Sequence, residues 1–225
     1  MLTRGPLYYT GASYVVNNSW DLTSYNSTYG VNAGSTYFSF IQMGQLFKSA
    51  SFSNSSGNIT NTLDPLDGWR LPTQDEWTTI LGTSRAGSTI DGGSTKRHYA
   101  YIRLTGVTYC GDSTPEGLLL FPDNKAITGV SLSYLDNTTV NTGVTVSKLN
   151  SLIEQGCVFL PMGGYSNDGT WSRGGERGYF WSTIQNNSST AKYAYIVTGT
   201  APGIGSSSWN KSSYHSLVYL VRTPD

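Results

Sequence analysis

"GWRLPTQDEWTTIL", residues 68–81, is the most densely punctuated stretch of this 225-residue chain, and its reading decides the fold. Pro72 fixes its own φ and pushes Leu71 toward extended backbone, so the segment enters as a strand. Thr73 and Glu76 stand at the T-x-x-E spacing of a capping box, in which each side chain satisfies an orphan amide of a first helical turn. A helix is therefore predicted from about Thr73, with Trp77, Ile80 and Leu81 on one face and Gly82 as its stop. The local plan is strand, sharp corner and short helix.

Working outward, "TVSKLNSLIEQG" (145–156) carries a second helical pattern, in which Val146, Leu149, Leu152 and Ile153 share a face and Gly156 stands at C′. "CVFLP" (157–161) follows it as a buried strand. "HYAYIRLTG" (98–106) and "GLLLFPD" (117–123) read as strands between the two helices. Beyond them, "GYFWSTIQ" (178–185), "AKYAYIVTG" (191–199) and "HSLVYLVR" (215–222) alternate as half-buried antiparallel strands do. Periodicity leaves "YFSFIQMGQLF" (37–47) open between strand and helix. Residues 1–36 alternate aromatic and β-branched residues with Ser, Asn and Gly, the pattern of a strand and hairpin appendage packed on the same domain as residues 37–225. The fold class is α+β, with two short helices packed on small antiparallel sheets and extensive loops.

Charged residues make up only 12% of the chain and the formal net charge is zero. That leaves no long-range field to gather phosphates or anionic lipid, so neither nucleic acid nor a membrane surface is the expected partner, and no direct membrane insertion is expected. No apolar run approaches the length of a bilayer span, and "MLTRGPLYYTG" lacks the apolar core of a signal peptide. The expectation is a protein of the cytosol or a virion, or one whose leader has been removed. With 16 Tyr, 6 Trp and 26 Gly among abundant Ser, Thr and Asn, the composition matches antibody paratopes, where rigid aromatics supply contact area and small polar residues adaptable hydrogen bonds.

Motifs for chemistry are sparse. Cys110 and Cys157 make neither a disulfide framework nor a metal-ligand set, and read first as buried free thiols, then as one disulfide and last as a catalytic thiol. His98 in a polar loop and His215 at the head of the last strand read as ordinary hydrogen-bonded or surface residues. "GTSRA" (82–86) lacks the strand that precedes a nucleophile elbow, and Asp75 and Glu76 are explained by the helix N-terminus they occupy. "FPDN" (121–124) and "SNDGTW" (166–171) offer oxygen ligands for calcium, but turns use the same residues. No catalytic residue, metal or cofactor is predicted.

The ordered set "GWRLPTQDEW" (68–77), "GLLLFPDN" (117–124), "GCVFLPMGGY" (156–165), "GYFWSTIQ" (178–185) and "HSLVYLVR" (215–222) resembles the bacterial and phage branch of the C-type lectin fold. That branch includes the Bacteroidetes major-paralogous-domain proteins, the formylglycine-generating-enzyme-like sulfatase modifiers and the variable proteins of diversity-generating retroelements. The resemblance covers roughly residues 37–222. The sulfatase-modifier branch uses a close cysteine pair near its C-terminus, which Cys110 and Cys157 do not form. Sugar-binding C-type lectins hold calcium through motifs that "FPDN" and "WNK" (209–211) match incompletely. The retroelement variable proteins fit best, and imply a diversified ligand-binding surface in a variable region of about residues 180–222. In them adenine-directed mutagenesis of AAC or AAT codons can write Asn, Ser, Tyr, Thr, Ile, Val, Gly, Ala, Asp or His, but not Trp, Lys, Gln, Glu or Met. "YAYIVTGTAPGIGSSSWNKSSY" (193–214) consists mostly of reachable residues, while Trp209 and Lys211 within it and Lys192 just before it have to be template-fixed or come from other codons; the same run also reads as an ordinary exposed loop.

The resemblance makes Trp69, Leu71, Trp77, Phe159, Leu160 and Trp181 framework. The ligand surface it implies comprises Tyr193, Tyr195, Val197, Ile204, Ser206, Ser207, Ser208, Trp209, Asn210, Ser212 and Tyr214, with the first three on one strand face. The partner is a protein or glycan ligand on a host or neighbouring cell surface, bound with weak salt dependence, and the protein rides on a virion or cell surface. A fixed-specificity adhesin or structural module is the second reading, and an enzyme of the sulfatase-modifier kind the third.

Overall fold

The computed structural model describes residues 1–4, 6–16, 36–108, 114–205 and 209–223. The chain is α+β, and among the described residues it has three α-helices rather than two: α1 (Phe40–Phe47), α2 (Gln74–Leu81) and α3 (Val146–Glu154). The additional helix lies in the ambiguous 37–47 run, which is both elements in succession, a strand at Tyr37–Ser39 and then α1. Ser39 ends the strand and caps the helix, accepting from Gln42 N at 3.2 Å while Gln42 Oε1 accepts from Ser39 N at 2.8 Å. Thr73 and Glu76 form the same reciprocal box at the start of α2. Thr145 caps α3, and Gly156 follows it with φ +100°, a conformation that favours glycine.

The sheets are larger and more mixed than the small antiparallel ones predicted. One has eight strands, with Arg177–Gln185 and Thr190–Val197 paired antiparallel at its centre, while Tyr214–Leu217 lies parallel to the former, Phe180 opposite Leu217. The Gly163–Asn167 and Thr170–Gly174 hairpin forms one edge, turned at Asp168 and Gly169, whose φ of +44° and +91° match a two-residue hairpin turn. The last predicted strand stops at Leu217, and the chain beyond runs irregularly to a bridge at Val221. A four-stranded sheet orders Val158–Pro161, Glu116–Leu120, Tyr99–Thr105 and Val140–Thr145, the last pair parallel.

Strand alternation sorts these residues into layers. Trp181, Ala191 and Tyr193 face one side of the large sheet with Phe40, Met43 and Phe47 of α1. Phe180, Ala194 and Ile196 face the other side with Trp77 and Leu81 of α2, and Leu118, Tyr101 and Leu160 of the four-stranded sheet join them. The opposite face of the smaller sheet packs Ala100, Ile102, Leu119 and Phe159 against Leu149, Leu152 and Ile153 of α3. Two indoles tie the layers: Trp77 Nε1 donates to Trp181 O at 3.0 Å, and Trp181 Nε1 to Phe38 O at 2.7 Å. At the N-terminus, Thr3 N and Leu7 N donate to Leu220 O and Val218 O, and a Leu7–Tyr9 and Tyr14–Val16 hairpin lies against the α1 side. No described helix is long and apolar enough to cross a membrane.

The corner at 68–77 is held electrostatically as well. Arg70 donates both Nη groups to the Glu76 carboxylate at 2.8 and 2.6 Å. That pairing, aided by the Thr73 amide, holds Glu76 at about 2, well below its ordinary 4.5. Because the folded value is depressed, the resulting stability is present in full above 4.5 and lost as pH falls from there toward 2. Glu76→Gln is expected to flatten this part of the acid limb of the urea midpoint against pH. An unchanged slope would show that the pair does not contribute.

Candidate functional site

On the α1 side of the large sheet, five aromatic rings of the described residues form a continuous patch. Trp209 is its hub, with ring centroids 4.6 Å from Tyr165, 4.2 Å from Tyr179, 4.5 Å from Tyr193 and 4.9 Å from Tyr214. Tyr165, Trp209 and Tyr214 are half-buried, whereas Tyr179 and Tyr193 are buried and floor the patch. Tyr195, two residues along the same strand face, extends it. The exposed Arg177 stands at the rim, its Nη1 3.4 Å from the Tyr179 hydroxyl. Such a surface presents wide aromatic faces with one positive charge beside them, suited to stacking on apolar or sugar faces and to cation–π contact.

Two tethers set the segment carrying the hub. The Lys211 side chain is fully buried, and its Nζ donates to Asn54 O at 2.7 Å and Gln185 Oε1 at 2.8 Å while lying 5.7 Å from the Phe40 ring centroid. Burial lowers its proton affinity, and Lys48 lowers it further. Asn210 closes a local turn, its Oδ1 accepting from Ser212 N at 2.9 Å, Ser212 Oγ at 2.8 Å and Ser213 N at 3.2 Å. Trp209 and Asn210 then pair with Ala191 and Thr190 of the central strand.

The structure thus brings Tyr193, Tyr195, Trp209 and Tyr214 together, and Val197 continues their strand at a half-buried position paired with Arg177. Asn210 shapes the turn and Ser212 is exposed beside it. Ile204 does not join them. It packs with the Trp77 cluster on the α2 side, because its partner in register, Ala194, faces that way. Ser206, Ser207 and Ser208 lie outside the described residues. Sequence reasoning missed Tyr165, Arg177 and Tyr179. The signal was present for Tyr179: it shares parity with Trp181, and Phe180 between them had to face the opposite side.

The remaining candidates have structural roles. His98 is buried, Nδ1 3.1 Å from Asp136 Oδ2 and Nε2 3.0 Å from Arg85 O. His215 is lowered by burial, with Nδ1 3.1 Å from Ser213 O. Asp123 of "FPDN" accepts from Gly87 N at 2.7 Å and Arg85 Nη1 at 3.0 Å, across to the 85–87 segment, and Ser166 Oγ accepts from Gly169 N of its own turn. Among the described residues no three His, Cys, Asp or Glu side chains gather as a metal site. Cys157 is a buried free thiol, pushed up to about 12 by burial, too high to supply thiolate at neutral pH. Cys110 lies outside the described residues. In a Cys110→Ser chain, Ellman's reagent is expected to titrate no thiol until denaturant is added; rapid reaction of the folded protein would contradict this burial.

No protein-family model matches the chain, and no curated protein and no solved structure matches it.

Proposed function

We propose that this is a ligand-binding protein of the C-type lectin fold, recognising a protein or glycan on a host or neighbouring cell surface from a virion or cell surface. We further propose that its C-terminal segment is diversified by a retroelement. The observation that carries the reading is the patch itself, in which Tyr165, Tyr195 and Tyr214 stay accessible around Trp209 on a framework of buried tryptophans. Half-buried aromatic anchors rimmed by small polar residues are typical of binding surfaces.

The positions of the fixed residues support diversification. Trp209 and Lys211, which adenine mutagenesis of AAC or AAT codons cannot write, are the hub and the buried tether of the segment. Tyr195, Ser212 and Tyr214, which it can write, are accessible. A segment built this way changes its contacts while keeping its attachment.

The test is sequencing of the source locus across natural isolates, with a search nearby for a near-copy of the DNA encoding residues 180–222. Codons 195, 206–208, 212 and 214 are expected to vary where the copy has adenine, while 68–77, 209 and 211 stay constant. Equal constancy of both segments and no copy would overturn diversification and leave a fixed-specificity adhesin.

A further inference from the structure

A second concavity shares no residue with the aromatic patch. It is a cleft of about 950 Å³ between the first turns of α2, the turn after Leu120 and the chain at Val221. Ile80, Leu120, Phe121, Pro122, Val158 and Val221 make its apolar walls. That size, with mostly apolar walls and a few polar groups, is characteristic of small-molecule sites.

The polar groups indicate what such a molecule carries. Four basic side chains, Arg70, Arg85, Lys125 and Arg222, and the Met1 ammonium line the cleft against three acidic side chains, Asp75, Glu76 and Asp123. Arg70 and Glu76 neutralise each other in the bidentate pair, and Arg85 pairs with Asp123 at 3.0 Å. Lys125 makes no ion pair with any described acidic side chain, although its Nζ is held close over the turn, 3.8 Å from where a Cβ on Gly156 would stand.

Arg85 is tied into the wall of the cleft. Its side chain is only 10% exposed, and its Nη groups donate to Phe121 O at 2.6 Å, His98 O at 2.5 Å and Asp123. Its Nε–H is buried without a hydrogen-bond partner among the described residues.

From the surplus of basic groups and the apolar walls, we propose that this cleft binds a small amphiphilic monocarboxylate. Its carboxylate meets Lys125 among the surplus basic groups, and its hydrocarbon body covers Ile80, Phe121 and Val158.

Decanoate, below its micellar concentration, is the probe. Calorimetric titration into the full chain is expected to give one saturable site, with decyltrimethylammonium at least ten-fold weaker because its head group meets Lys125. Lys125→Glu, at an exposed position, is expected to weaken decanoate at least ten-fold. Thr79→Trp, also exposed and lining the cleft, is expected to block it, with far-UV circular dichroism unchanged in both variants. Tyr214→Ala in the aromatic patch is expected to leave decanoate binding as it was. Absence of saturable decanoate binding overturns the proposal, as does equal binding of the cationic amphiphile or indifference to Lys125→Glu.

Discussion

Trp77→Ala is expected to lower the unfolding free energy by about 3–5 kcal/mol, the range for truncating a fully buried tryptophan. Trp77 is inaccessible to solvent and sits where α2, the large sheet and the smaller sheet meet, 5.5 Å between centroids from Phe180. Truncation leaves a cavity shared by three layers, none of which can close it alone. It also strands the buried carbonyl of Trp181, which accepts from the indole, and an unmet buried acceptor adds about 1–3 kcal/mol. Against a typical total of about 5–15 kcal/mol, the loss puts the variant close to unfolding at physiological temperature. Urea denaturation followed by far-UV circular dichroism reads it directly. Trp69→Ala is the internal comparison, since Trp69 is half-buried at the edge of the α1 cluster and is expected to cost about 1 kcal/mol. A Trp77→Ala loss no larger than that of Trp69→Ala would mean that the corner does not organise the core as described.

In the patch, Tyr214→Ala is expected to weaken ligand binding by about 2 kcal/mol or more, roughly 30-fold at 25 °C, as central aromatic anchors do. Tyr214 stacks on Trp209 with an interplanar angle of 29° and keeps an accessible edge, so truncation removes contact area and support for the hub together. The measurement is capture from arrays of glycans and of surface proteins by the wild-type chain, followed by titration of the retained member against the variants. Trp209→Ala is expected to be at least as damaging to binding, and it also lowers stability because four other rings pack on it. Ile204→Ala is expected to leave affinity unchanged, since that side chain packs with Trp77 on the other side of the sheet. Equal losses for Ile204→Ala and Tyr214→Ala would disqualify the patch as the contact surface. Binding is also expected to change little with salt, because the patch is aromatic, with Arg177 at its rim.

Local chemistry was legible in this chain to the extent that it is settled within a few residues. The capping box at Thr73 and Glu76, the cap at Thr145 and the glycine stop at Gly156 each depend on a neighbouring amide or a single φ, and each stands where the pattern puts it. The same logic held an unread signal: Ser39 and Gln42 have S-x-x-Q spacing, which resolves "YFSFIQMGQLF" into strand then helix without reference to any other part of the chain. Parity along "GYFW" likewise separates Tyr179 and Trp181 from Phe180, but it does not say which side of the sheet is left open.

Lys211 marks the limit. By type it belongs in water, and its neighbours Asn210, Ser212 and Ser213 suggest an exposed loop. It is buried because Asn54 O and Gln185 Oε1 converge on its ammonium from segments 157 and 26 residues away. Ile204 makes the same point in reverse, since its side is set by register with Ala194 rather than by its own sequence context. The sequence by itself determined the α+β class, the capped helices at 73–81 and 145–154, the principal strands and the aromatic, weakly charged character of the surface. These follow from φ preferences, capping and periodicity, which act over a few residues. Only the tertiary structure decided the mixed eight-stranded sheet, the convergence of Tyr165, Tyr179, Tyr193, Trp209 and Tyr214, and the burial of Lys211. Each of these is a meeting of distant segments, fixed by strand register and by which face finds a helix to cover it.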